Sequence, residues 1–191
     1  MLYYLLAPLK DDFILFNLFR YITFRATCSA VLALLISLLI GPYIIRRLRE
    51  LQIGEEIRSD GPQSHLSKRG TPSMGGIIIL ISVLVPTLLF ARVGDTCIWL
   101  VLVSTLWLSG LGLLDDWLKI VKKMPKGLIG RYKLAGQILL GLFVGIVVYY
   151  FPAVESARSS TTVPFFKNYE LELGLLYIPF VVFVITATSN G

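Results

Sequence analysis

The chain has 191 residues, of which 55% are hydrophobic and only 16% are charged, with a mean hydropathy of +0.75. That is too apolar for a soluble domain and places the chain in a lipid bilayer. A net charge of +6 and a pI near 9.4 would suggest nucleic acid in a soluble protein, but the basic excess falls between hydrophobic runs. Membrane topology and anionic headgroups account for it there, and no nucleic-acid partner is expected.

Five runs approach the roughly 20 apolar residues that cross a hydrocarbon core. Residues 1–21 come before them and mix aromatics with Lys10, Asp11, Asp12 and Arg20, which predicts an interfacial segment rather than a span. No basic leader precedes an early apolar run, so a cleaved signal peptide is not expected.

The first predicted span is 26–45, closing at Gly41 and Pro42 before Arg46, Arg47 and Arg49. The polar stretch behind it, from Arg46 to Arg69, holds six Lys or Arg residues and predicts a cytoplasmic loop, with the amino terminus outside. Within it, D-G-P-Q-S-H-L-S-K-R-G-T-P-S-M-G-G at 60–76 carries two turn signals, and Ser73 is placed to cap the next helix. Lys68, Arg69, Thr71 and Ser73 stand where a helix amino terminus can receive an anion. A basic flank ahead of a capped helix explains the same residues. His65, a lone loop histidine, is read first as a surface group.

The second span, 75–91, contains Pro86, and the short link Arg92–Asp95 returns the chain into the third, 96–114. That span ends at Asp115 and Asp116, followed by Lys119, Lys122, Lys123, Lys126, Arg131 and Lys133. The fourth span, 134–151, leads to an external segment whose S-S-T-T run reads as a surface loop, and the fifth, 171–188, brings Asn190 to the side of the acidic pair. Pro179 predicts a kink in it. The architecture expected is therefore all-α, a polytopic membrane helix bundle. An ending directly after T-S-N-G suggests a portion of a larger protein.

In a helix running through Lys119, Asp115 and Lys119 are an i,i+4 pair and Asp116 and Lys119 an i,i+3 pair. The two carboxylates point about 100 degrees apart, so they suit different tasks, one holding Mg2+ and one handling a phosphate. A solvated helix end with local salt bridges is the plainer reading of the same residues. Thr71 and Asn190 can hydrogen-bond a phosphate, sugar or nucleotide edge, or simply cap helices. Cys28 and Cys97 offer neither a disulfide framework nor metal-ligand spacing.

The string at 60–76, G-L-L-D-D-W-L-K at 112–119, K-G-L-I-G-R-Y-K at 126–133 and V-P-F-F-K at 163–167 together resemble the phospho-N-acetylmuramoyl-pentapeptide transferase family. The resemblance runs over essentially all of 1–191, taken as the amino-terminal portion of one transmembrane catalytic domain. It implies about ten spans in the whole protein, five of them here. It also implies transfer of phospho-MurNAc-pentapeptide from UDP-MurNAc-pentapeptide to undecaprenyl phosphate, with Mg2+ as cofactor and release of UMP. Asp115 and Asp116 correspond to the catalytic and metal-binding acidic pair, while Lys68, Thr71, Lys119 and Asn190 correspond to substrate-binding positions. The expected setting is the bacterial inner membrane with the active site facing the cytoplasm, and a homodimer is compatible with it. Ser73 stands where the family commonly has threonine, which keeps the hydroxyl. The family's later acidic and histidine-rich motifs are not in the sequence, so little activity is expected of this polypeptide alone. A related polyprenyl-phosphate sugar-phosphate transferase shares D-D-x-x-K, and a transporter using the acidic pair for ion coupling is the alternative outside enzymes.

Overall fold

The computed structural model describes residues 1–11, 14–50, 74–122, 124, 127–151, 159–163 and 166–190. The described residues are almost all helical, as the apolar runs predict, because a backbone in hydrocarbon must satisfy its own hydrogen bonds. The short helix α1, Leu2–Leu6, and two 3-10 segments, Ala7–Asp11 and Ile14–Arg20, form the amino-terminal stretch. The long helices are α2, Ile22–Glu50, α3, Gly76–Phe90, α4, Thr96–Ile120, and α5, Gly130–Tyr150. Helix α6, Tyr177–Asn190, closes the described chain.

Helices α2, α4 and α5 are long and apolar enough to cross a membrane, and α3 and the Gly174–Asn190 stretch are shorter apolar helices. The apolar residues face outward. Leu48, Leu102 and Leu140 are the buried hydrophobic side chains among the described residues, whereas Leu39 is 75% exposed and Leu34, Leu38, Val101 and Phe183 are exposed with it. Only a hydrocarbon solvent makes that distribution favourable.

Contacts group the chain into two compact units, Met1–Leu102 with Gly112–Gly127, and Val103–Leu111 with Leu128–Gly191. In the first, α2 continues through Gly41 and Pro42 to Glu50 instead of closing there. Pro42 removes one backbone donor, a loss that a membrane helix supported by a neighbour tolerates. Gly41 supplies that neighbour: a side chain there would touch Ile78 of α3 at 3.8 Å. Pro86 is fully buried inside α3. The N-cap of α3 is Gly75, with no side-chain cap bond, and Ser73 lies outside the described residues. Asp95 caps α4 in the usual manner, its Oδ1 accepting from the Cys97 amide at 3.1 Å.

In the second unit α5 packs on α6 through small residues spaced four apart. A Cβ on Gly141 would lie 2.7 Å from Val182 Cα, and one on Gly145 3.3 Å from Ile178 Cα. This close backbone approach is how membrane helices gain dispersion energy where lipid supplies no hydrophobic drive. Between the two helices lies a hairpin that the sequence reading did not include. The S-S-T-T run enters strand β1, Ser160–Val163, which pairs antiparallel with β2, Phe166–Glu172, in the register Ser160 to Glu172 and Thr161 to Leu171. Leu171 and Glu172 are consequently extended, and α6 starts later than the apolar run that contains it. Pro179 falls in the first turn of α6, where its missing N–H would have no intrahelical partner anyway, so α6 is unbroken there.

Candidate active site

From Thr96 to Leu114 helix α4 rises about 28 Å at ~1.5 Å per residue, close to the ~30 Å hydrocarbon thickness. Asp115 and Asp116 therefore fall where hydrocarbon gives way to headgroups. They are not at a helix mouth, since α4 continues for another turn and more to Ile120. That extra turn holds both carboxylates on a rigid element and supplies the i,i+4 partner.

The partner is engaged. Lys119 Nζ lies 3.0 Å from Asp115 Oδ2, with the two side chains 30% and 13% exposed. Partial burial makes the charges less screened than a surface pair. Asp116 is half-buried and, among the described residues, makes no ion pair or side-chain hydrogen bond. The two acids thus differ as their angular separation predicts: one is tied to a lysine and the other is open.

The loop after α4 folds back over the pair. The Met124 amide donates to Leu118 O at 3.2 Å and the Gly127 amide to Met124 O at 2.9 Å. Gly127 is buried at φ +58, and a Cβ there would collide with Asp115 Oδ1 and approach Lys119 Cε to 2.7 Å. Only glycine satisfies both the left-handed backbone and the close approach. Lys122 Nζ sits 5.7 Å from the Trp117 ring centroid, adding a second cation to the same helix end.

In the second unit, Asn190 ends α6 paired with Gln137 of α5. Asn190 Nδ2 donates to Gln137 Oε1 at 2.6 Å, and Gln137 Nε2 donates back to Asn190 Oδ1 at 3.3 Å. Asn190 Nδ2 also reaches Thr186 O at 2.8 Å. Gln137 is 2% exposed, so the amide pair satisfies a polar group that would otherwise be costly in an apolar interface. Beside it Trp107 Nε1 donates to Gly136 O at 2.9 Å. Replacement of Gln137 by Leu is expected to cost about 0.5–2 kcal/mol, read as a lowered thermal midpoint, because Asn190 loses its reciprocal partner. At the other end of this segment, α5 opens with Arg131 and Lys133 in a first turn that has no acidic residue. Cations there oppose the helix dipole and suit an arriving anion.

Lys68, Thr71 and His65 lie outside the described residues. The described residues contain no group of three or more His, Cys, Asp or Glu side chains placed to hold a metal. The donor chemistry of Asp115 and Asp116 still fits Mg2+, which takes one or two carboxylates and completes its shell with substrate phosphates and water. Two residues, one in each unit, were not singled out by pattern. Gln137, the lone amide in the apolar run 134–151, was the available signal for its pairing; Gly127 offered none beyond its place in the basic loop.

A polytopic membrane helix bundle with an acidic pair and its lysine at the headgroup end of a spanning helix is the class defined by fold and site. Residues 68–80 match the phospho-N-acetylmuramoyl-pentapeptide-transferase signature 1. Over the whole chain the sequence is 47% identical to the phospho-N-acetylmuramoyl-pentapeptide-transferase of Geobacter sp. strain M21, covering 52% of that protein. It is 46% identical to the enzyme so named in Citrifermentans bemidjiense and 47% to that in Desulfotalea psychrophila, again over all of this chain and 52% of theirs. Over its whole length the chain is thus similar to phospho-N-acetylmuramoyl-pentapeptide transferases, and it spans about half the length of the curated relatives it matches.

Proposed function

We propose that the protein of which this chain is part transfers phospho-MurNAc-pentapeptide from UDP-MurNAc-pentapeptide to undecaprenyl phosphate in peptidoglycan synthesis. The observation that carries the reading is similarity over the entire chain to transferases of that name, with the signature at 68–80 among the matched residues. The site is compatible with it. Asp115, Asp116 and Lys119 form a charged cluster at the depth where a lipid phosphate and a water-soluble nucleotide can meet.

In the simplest course, an oxygen of the lipid phosphate attacks the sugar-linked phosphorus of the donor. A new P–O bond forms, the pyrophosphate P–O bond breaks, and UMP leaves with its electron pair. Lys119 holds Asp115 in place and offsets its charge as the anionic lipid head approaches. Asp116, open among the described residues, is available to Mg2+ together with Asp115; the ion, when bound, reduces repulsion between the two phosphates. Lys68, Thr71 and Asn190 are assigned to the donor. The six basic residues from Lys119 to Lys133 support a cytoplasmic face for this site, in a bacterial inner membrane with the amino terminus outside.

The test is UMP release by the complete protein in lipid, with undecaprenyl phosphate and either UDP-MurNAc-pentapeptide or UDP-N-acetylglucosamine, with and without Mg2+. Release from the first donor alone, lost on chelation, is expected. Release from the second alone would reassign the chain to the related sugar-phosphate transferases, and no release from either would remove the reading.

A further inference from the structure

Helices α5 and α6 run antiparallel with their backbones in contact, Gly145 against Ile178 and Gly141 against Val182. One more turn along α5 brings Gln137 opposite Thr186, and its side chain reaches a further turn to Asn190 at the end of α6. That last turn of α6 is rich in hydroxyls, but Thr186, Thr188 and Ser189 each turn the proton back on a carbonyl of their own helix. Asn190 instead crosses to the neighbouring helix.

One atom fixes the orientation of both amides. Thr186 O is a carbonyl and can only accept, so the Asn190 atom 2.8 Å from it is Nδ2. The Gln137 atom 2.6 Å from Nδ2 must then be Oε1, which leaves Gln137 Nε2 facing Asn190 Oδ1 at 3.3 Å. Both Nδ2 hydrogens are thus engaged, one on each acceptor. Oδ1 has two lone pairs, and Gln137 uses one of them. Gln137 is 2% exposed whereas Asn190 is exposed, so what the pair shows outward is the second lone pair of Oδ1. An amide held this way accepts; it has no hydrogen left for a phosphate oxygen.

We infer that Gln137 is a positioning residue that turns Asn190 into a one-sided hydrogen-bond acceptor, selecting an N–H or O–H group of the UDP-linked substrate and not one of its phosphates. The inference rests on the assignment of Asn190 to that substrate, and it narrows it. Sequence allows Asn190 a phosphate, a sugar or a nucleotide edge; the count of hydrogens removes the first. An acceptor fixed by a buried partner needs no reordering when the substrate arrives. Without Gln137 the amide is held by Thr186 alone, with one hydrogen released and Oδ1 no longer aimed.

The experiment uses the complete protein in lipid and measures kcat and KM for each substrate in Gln137→Met, Asn190→Ala and the double variant, beside the binding of uridine and of inorganic pyrophosphate. Gln137→Met, which fills the same space without the amide, is expected to raise KM for UDP-MurNAc-pentapeptide about 3–10-fold, the strength of one neutral hydrogen bond. Its kcat and its KM for undecaprenyl phosphate stay within about twofold. The double variant loses no more than Asn190→Ala alone. Losses that multiply, or KM values that rise together for both substrates, overturn the positioning role, and an unchanged KM in Asn190→Ala overturns the inference outright. Asn190→Ala, at an exposed helix end, also carries the test of polarity if Gln137→Met does not fold. Weaker pyrophosphate binding in it overturns the acceptor assignment, and unchanged pyrophosphate binding supports it. In the latter case weaker uridine binding places the contact on the nucleoside, and unchanged uridine binding places it on the sugar or peptide. An unaltered protein that turns over UDP-N-acetylglucosamine and not UDP-MurNAc-pentapeptide removes the assigned activity, and the same variants measured with that substrate still decide on Gln137.

Discussion

Asp116→Asn is expected to lower kcat by about 10²–10⁴-fold while leaving the thermal midpoint unchanged. Asp116 makes no ion pair or side-chain hydrogen bond among the described residues, so the substitution removes charge and little else. Asp115→Asn should cost at least as much activity, but with a structural component, since it leaves Lys119 beside a neutral amide in a partly buried setting. A Lys119→Met variant separates the two roles. If Lys119 acts by positioning Asp115, the double variant loses no more activity than Asp115→Asn alone; if it contacts substrate independently, the losses multiply. UMP release at saturating and limiting donor, beside unfolding curves for each variant, decides between these outcomes. Activity within a few-fold of the unaltered protein in Asp116→Asn would remove that residue from the chemistry.

How much of this was legible beforehand depends on the range of the interaction that fixes each feature. The apolar runs declare their helices because a bilayer admits few other structures. The Asp115–Lys119 pair follows from helical spacing, and its 3.0 Å contact is the one expected. Boundaries failed where local rules were overridden. Pro42 reads as a stop, yet α2 passes through it because α3 packs against Gly41. The S-S-T-T run reads as loop because serine and threonine are common there, while the alternation of Tyr169, Glu170, Leu171 and Glu172 was the unused signal for a strand. Gln137 and Asn190 are 53 positions apart and meet only through the α5–α6 packing.

Gly127→Ala is the most informative single change outside the acidic residues. Alanine at φ +58 costs about 1–2 kcal/mol in backbone strain, and its Cβ must displace Asp115 Oδ1 or the Lys119 stem. The displaced atoms are those assigned to the phosphates, and a shift of about 1 Å there is expected to lower kcat by roughly 10²-fold. Two controls separate the causes. Gly174→Ala carries comparable strain, at φ +54, with nothing within 4 Å of the new Cβ, and Gly130→Ala has open space at the first residue of α5. Gly174→Ala should lower the thermal midpoint with kcat preserved, and Gly130→Ala should change neither. If Gly127→Ala behaves like Gly174→Ala, the fold-back of this loop serves stability alone. If it loses kcat while Lys119→Met in the same background restores part of it, the loop acts through the ion pair, since removing the ammonium frees Asp115 to move away from the new methyl group.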